Sequence, residues 1–136
     1  GPTRLIDFDQ RILACQMFAN MSEASSLSAA NKRVRNILKK VDDPLEGIVN
    51  EDLLKETAEQ SLYQSLTNVI AKVKPLIEQR DYTTSLQELA SLRSDVDTFF
   101  DSVMVMCDDP VIQKNRLTLL KSMSDQFMQI ADISRL

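Results

Sequence analysis

Histidine is absent from this 136-residue chain. With it go the commonest general base, the usual partner of a nucleophilic serine or cysteine, and the most frequent metal ligand. Most hydrolase and metal-dependent readings fall on that ground. Glycine is nearly as scarce: Gly1 and Gly47 are the only two, too few for the glycine-rich turns whose backbone amides cradle nucleotide phosphates. The two cysteines, Cys15 and Cys107, stand far apart and neither belongs to a CxxC pair, so both read as reduced packing residues of a cytosolic protein. No apolar run approaches the roughly 20 residues that a membrane span needs, and no basic-then-apolar leader precedes the first elements. A cytoplasmic location without a membrane partner is expected. Asp108 and Asp109 are adjacent carboxylates, but beside Pro110 they suit helix capping better than acid–base work. No catalytic residue, metal site or bound cofactor is expected within this chain.

What is present suits helices. The chain is 43% hydrophobic and 26% charged, with four prolines, and its length is that of about one domain with a single sizeable core. Gly1 and Pro2 read as the scar of a cleaved expression fusion, which leaves 3–136 as a single domain. Apolar residues recur at Leu5, Phe8, Ile12, Cys15 and Ala19, spacings of three and four that predict a first helix ending near Asn20. Ser22 is a candidate N-cap for a second helix with the stripe Leu27, Ala30, Val34, Ile37, Leu38 and Val41, stopped by Asp42-Asp43-Pro44. Asn50, followed by Glu51 and Asp52, predicts the start of a third helix carrying Leu54, Ala58, Leu62, Leu66, Val69, Val73 and Leu76, with Pro75 kinking or restarting it. Asp81-Tyr82-Thr83 supplies the next stop and cap. A fourth helix carries Leu86, Leu89, Val96, Phe99, Phe100 and Val103, with room for a break around Ser94. Asp109-Pro110 then starts a last helix that buries Ile112, Leu119, Leu120, Met123, Phe127 and Ile130. The expected fold is all-α, an antiparallel bundle of five or six helices around one core.

The formal charge is −4, which by itself argues against a nucleic-acid partner, since phosphate contacts come from Lys and Arg. Distribution says more than the sum. Lys32, Arg33, Arg35, Lys39 and Lys40 fall within nine positions, whereas Asp42 to Glu59 carries seven acids against the single Lys55. Lys32, Arg35 and Lys39 follow the three-and-four rule and project together, which would set a row of cations along an RNA backbone. The plainer reading is the solvated face that any amphipathic helix must have.

Two segments carry a resemblance. Ala30-Asn31-Lys32-Arg33-Val34-Arg35-Asn36-Ile37-Leu38 resembles the A-N-K-R-x-x-N-I-L segment in the C-terminal region of bacterial glycyl-tRNA synthetase β subunits. Phe99-Phe100-Asp101-Ser102-Val103-Met104-Val105-Met106 resembles the F-F-D-x-V-M-V-M segment of the same region. Asn115-Arg116-Leu117-Thr118-Leu119-Leu120 and Ala131-Asp132-Ile133-Ser134 follow in order, so the similarity spans the chain from Asp7 onward. Cys107 stands where a small residue such as alanine is expected. The resemblance implies a helical anticodon-binding domain of the DALR type, related to that of arginyl-tRNA synthetases. It implies a parent class II ligase of α and β subunits that uses ATP and Mg, with glycine activation in the α subunit. The implied partners are tRNA(Gly), the α subunit and the rest of the β subunit.

Under that resemblance the RNA-binding candidates are Lys32, Arg33, Arg35, Asn36, Lys39, Asp101, Asn115 and Arg116. Glycine anticodons carry cytosine at their second and third positions, and a cytosine reader needs a carboxylate or carbonyl beside an Arg, Lys or Asn donor. Asp101, Asn115 and Arg116 have that chemistry. Arg116 also lies on the buried stripe between Ile112 and Leu120, where the alternative is an ion pair with a carboxylate such as Asp101. Met104, Val105 and Met106 are expected in the core. Tyr63 and Tyr82 are the aromatics least committed to a stripe, and so the candidates for base stacking. A helical docking module holding a larger assembly together is the competing reading.

Overall fold

A computed structural model describes residues 22–42, 45 and 47–135, with side chains described for 25–42, 45 and 47–130. The helix expected over Leu5 to Asn20 lies outside these residues. Five α-helices and one 3-10 turn make up the described chain: α1 (Ser22–Leu38), the turn Glu51–Leu53, α2 (Thr57–Glu78), α3 (Tyr82–Ala90), α4 (Arg93–Ser102) and α5 (Pro110–Arg135). No strand occurs among the described residues, so the all-helical expectation holds.

Each helix buries its apolar stripe in one shared core. Leu27, Ala30 and Val34 of α1, Leu62, Leu66, Val69 and Val73 of α2, Leu86 and Leu89 of α3, Val96 and Phe99 of α4, and Leu119, Leu120, Met123 and Ile130 of α5 belong to a single cluster. Phe99 and Leu92 sit at its centre, fully buried. Ser65 of α2 donates a hydrogen bond to the Asp95 carboxylate of α4, which ties the two helices together at the edge of that cluster.

Element ends follow local chemistry, with instructive departures. α1 stops at Leu38, short of the expected Val41, and closes through tighter bonds from the Lys40 N–H to the Ile37 carbonyl and from the Val41 N–H to the Leu38 carbonyl. Ser22 is already helical. Asn50 does cap, accepting at its side chain from the Asp52 N–H at 3.0 Å, but it caps only the 3-10 turn. The long helix begins at Thr57, because the Glu59 side chain reaches back to accept from the Glu56 N–H at 3.2 Å, and that local bond fixes a new helix start six residues on. Pro75 neither ends nor restarts α2, which runs through to Glu78. It sits one turn from the end, where the carbonyl left without a partner belongs to the exposed Ala71.

α2 ends in a Schellman arrangement: the Asp81 N–H bonds the Leu76 carbonyl, the Arg80 N–H bonds the Ile77 carbonyl, and Arg80 takes a φ of 60°. Asp81 then caps α3 by accepting from the Thr84 N–H at 3.1 Å, as its sequence position predicts. The anticipated break in the fourth helix falls at Ser91 and Leu92, slightly before Ser94. Asp109 accepts from the Val111 and Ile112 N–H groups at 2.9 and 3.3 Å, with Pro110 as the first helical residue.

Between α4 and α5 the chain is not helical, and Val103 and Val105 are buried while Met104 and Met106 are 70% and 54% exposed. The methionines therefore lie outside the core, contrary to expectation: extended backbone at Val103 starts an alternation of side-chain direction that a helical reading of the run does not allow. Tyr82 is likewise in the core, at 5% exposure, and offers no stacking face. Replacing Asp109 with alanine removes the acceptor of two helix-terminal N–H groups and should cost about 1 kcal/mol, seen as a lower urea midpoint with an unchanged m-value.

Candidate nucleic-acid interface

Helix α1 has two chemically distinct sides. Leu27, Asn31 and Val34, spaced four and three apart, are buried, while Lys32, Arg35, Asn36 and Lys39 are exposed. Helix α5 lies alongside the junction between them. The Ser124 hydroxyl donates to Asn31 Oδ1 at 2.7 Å, and Asn31 Nδ2 donates to Met128 Sδ at 3.4 Å. The result is a groove of about 360 Å³ with Lys32, Arg35, Asn36 and Lys39 around it and Asn31, Phe127 and Met128 from the packed side.

Its charge is one-sided. None of the described lining residues is acidic, and no described carboxylate lies in ion-pair range of Lys32, Arg35 or Lys39. Larger grooves of about 480 Å³ occur elsewhere, but in one of them the lysine, Lys121, is held by Asp125 at 2.7 Å. Polar and cationic edges beside an aromatic ring and a thioether are what an unstacked nucleotide needs: cations for phosphate and a flat apolar surface for the base.

The other sequence candidates divide. Arg33 points to a different side of α1, where its guanidinium carbon lies 4.3 Å from the centre of the half-buried Phe100 ring, a cation–π contact that holds both side chains at the surface. Asn115 and Arg116 are buried. Asn115 acts as a clamp, its Oδ1 accepting from the Asn50 N–H at 2.8 Å and its Nδ2 donating to the Asn50 carbonyl at 3.1 Å. Arg116 donates from Nη2 to Glu59 Oε1 at 3.0 Å and from Nη1 to the Met104 carbonyl. Its ion-pair partner is thus Glu59, not Asp101, which is exposed on α4. Asp101, Asn115 and Arg116 do not converge into one reading site, because two of the three are turned inward to hold loops. Tyr63 is half-buried and lines another groove; a hydrogen bond to Glu51, together with burial, raises its pKa above the ordinary tyrosine value.

A family model described as the DALR anticodon binding domain matches residues 27–133, a span that contains most of α1, the residues lining the groove and nearly all of α5. The chain belongs to the DALR anticodon binding domain family. Among curated relatives it is similar to the glycine–tRNA ligase beta subunit of Shewanella amazonensis, 49% identical over 99% of this chain. It is also similar to the proteins of the same name from Hahella chejuensis, at 49%, and Sodalis glossinidius, at 50%, again over 99% of the chain. It spans only 20% of the length of each of these relatives. No helix among the described residues of this DALR domain is long and apolar enough to cross a membrane.

Three residues that shape the groove or its frame escape a simple stripe reading. Asn31, Ser124 and Glu59 are polar side chains in buried phase, and the signal for each was its spacing. Asn31 falls four after Leu27, and Glu59 falls three before Leu62 and seven before Leu66. A polar residue inside an apolar period demands a buried partner.

Arg116 is where this DALR domain is most exposed to damage. Burial disfavours its charge, but the hydrogen bond to Glu59 and the Glu59 charge outweigh that penalty, so its pKa is raised. Arg116→Ala leaves the Glu59 carboxylate buried without a counter-charge and should destabilise the fold by about 3–5 kcal/mol, measured by urea unfolding at neutral pH. A loss below about 1 kcal/mol would show that the pair is dispensable.

Proposed function

We propose that this chain binds the anticodon region of tRNA(Gly) as part of the β subunit of a cytoplasmic glycine–tRNA ligase, through the groove between α1 and α5. The observation that supports this best is the coincidence of three things in one place. The groove collects Lys32, Arg35, Asn36 and Lys39, no described acid neutralises them, and the family match covers every residue that lines it. Arg33 extends the cationic surface around α1, and Asp101, beside Phe100, lies within reach of RNA that follows that surface. Asn115 and Arg116 serve the same function indirectly, by holding the loops that frame α5.

The chemistry of aminoacylation belongs elsewhere in this reading. ATP and Mg are expected in the parent ligase, with the α subunit and the rest of the β subunit as partners. In this chain Gly47 is the lone internal glycine, too few for a glycine-rich turn that cradles nucleotide phosphates.

A second reading, docking onto the remainder of the assembly, is favoured by a separate observation. Ile48, Met104, Met106 and Val111 are more than half exposed, and the chain is a fifth of the length of its curated relatives. The two readings use different surfaces and are compatible.

Gel retardation of tRNA(Gly), compared with a transcript of altered anticodon, tests the RNA reading: weaker retardation of the altered transcript supports it, and no retardation of either at low salt leaves docking as the better account. Lys32→Ala and Lys39→Ala should each weaken binding of both transcripts alike. Each should also reduce the slope of log affinity against log salt by roughly 0.7–0.9. Unchanged affinity across the salt range, with unchanged stability, would remove these lysines from the interface.

A further inference from the structure

The floor of the groove contains an unusual pairing of strong donors with a weak acceptor. Asn31 is 7% exposed. Its Oδ1 accepts from Ser124, and this fixes the amide orientation, since a thioether can only accept and a hydroxyl can donate. Nδ2 must therefore face Met128 Sδ, at 3.4 Å. The same sulfur lies 4.0 Å from Arg35 Nη1 at the rim. An amide and a guanidinium thus converge on one soft atom, a far poorer acceptor than a carbonyl oxygen or a ring nitrogen. The sulfur belongs to a flexible, unbranched side chain that can swing aside at small cost.

We propose that Asn31 and Arg35 read an unpaired cytosine, whose O2 and N3 replace the Met128 sulfur as acceptors while Phe127 and the displaced Met128 pack against the ring. Two donors that approach the same atom call for two adjacent acceptors. On the Watson–Crick edges of the four bases, where unstacked RNA is read, only cytosine presents such a pair. Uracil places an N–H at the central position, where it would meet the protein's own donors, and a buried donor without a partner is penalised more than a satisfied one is rewarded. Asn31 is well placed for discrimination because Ser124 holds its orientation before any ligand arrives. Arg35 contributes a planar donor that a lysine cannot imitate. The inference rests on the α1–α5 groove being the RNA site, and it adds which residues select the base.

The test uses the 136-residue chain and tRNA(Gly) transcripts with either anticodon cytosine changed to uracil. Wild type should favour the unaltered transcript over at least one of the two by roughly tenfold or more. Asn31→Asp keeps the acceptor for Ser124 but replaces the donor with an oxygen, and should reduce that ratio to about one; the added charge weakens both RNAs and so cancels in the ratio. Arg35→Lys, on an exposed side chain, keeps the charge and the salt slope but should shrink the ratio several-fold, which covers the case where Asn31→Asp fails to fold. Met128→Leu, which removes the sulfur and leaves both donors, should preserve the ratio. Should wild type bind all transcripts equally, or should a folded Asn31→Asp and Arg35→Lys keep the wild-type ratio, the base-reading assignment is overturned. If Lys32→Ala and Lys39→Ala still weaken binding in that experiment, the groove survives as a backbone site. If they too have no effect, the groove reading falls with it.

Discussion

Removing Glu59 and Arg116 from water costs several kcal/mol per ion even after relaxation, and the bonds gathered around the pair offset part of that cost. Glu59 is fully buried in the first turn of α2, Arg116 nearly so in the second turn of α5. One carboxylate oxygen accepts both from Arg116 and from the Glu56 N–H that starts α2. The guanidinium also takes the carbonyl of Met104. A single pair therefore fixes the beginning of one helix, the height of another and the path of the loop between α4 and α5. Glu59 Oε2 and Arg116 Nε have no hydrogen-bond partner among the described residues, so the pair is not fully compensated. Its role is to specify geometry, and hydrophobic residues of similar size would hold the same space with less penalty.

The groove depends on this frame at one remove. Arg116 and Asn115 lock the N-terminal half of α5 to the α2 start and to the loop at Asn50, while Ser124 and Met128, two and three turns further on, meet α1. The groove is thus carried by the half of α5 away from the buried pair, on a helix whose position is set elsewhere. Side chains on a helix held in this manner keep their spacing better than side chains on a loop.

Much of this was legible in the sequence, and the failures have physical reasons. The stripes of α1, α2 and α5 and the caps at Asp81 and Asp109 could be read directly, because they depend on contacts within four residues. The exposed cations of α1 followed from the same period. The restart at Thr57 was missed although the Glu56–Glu59 bond that sets it is local, because glutamate is not among the residues that usually mark an N-cap, and the cap signal at Asn50 was genuine but used for a single turn. Met104 and Met106 were misplaced because a short apolar run does not reveal its own period. The partner of Arg116 lay 57 positions away, and no local pattern connects two such residues. The polar floor at Asn31 announced a buried bond without naming Ser124 or Met128.

The segregation of charge along the chain has a consequence for approach as well as for contact. With a net charge of −4 and exposed carboxylates at Asp42, Glu51, Asp52, Glu78, Asp97, Asp101, Asp108 and Asp109, a polyanion is repelled from much of the surface and drawn toward α1. The field would therefore orient an approaching polyanion before any side chain is touched, raising the fraction of encounters that begin at α1. Its reach is about 8 Å at physiological ionic strength, less than the length of α1 itself, so the steering operates only in the last stage of approach and fades as salt is added.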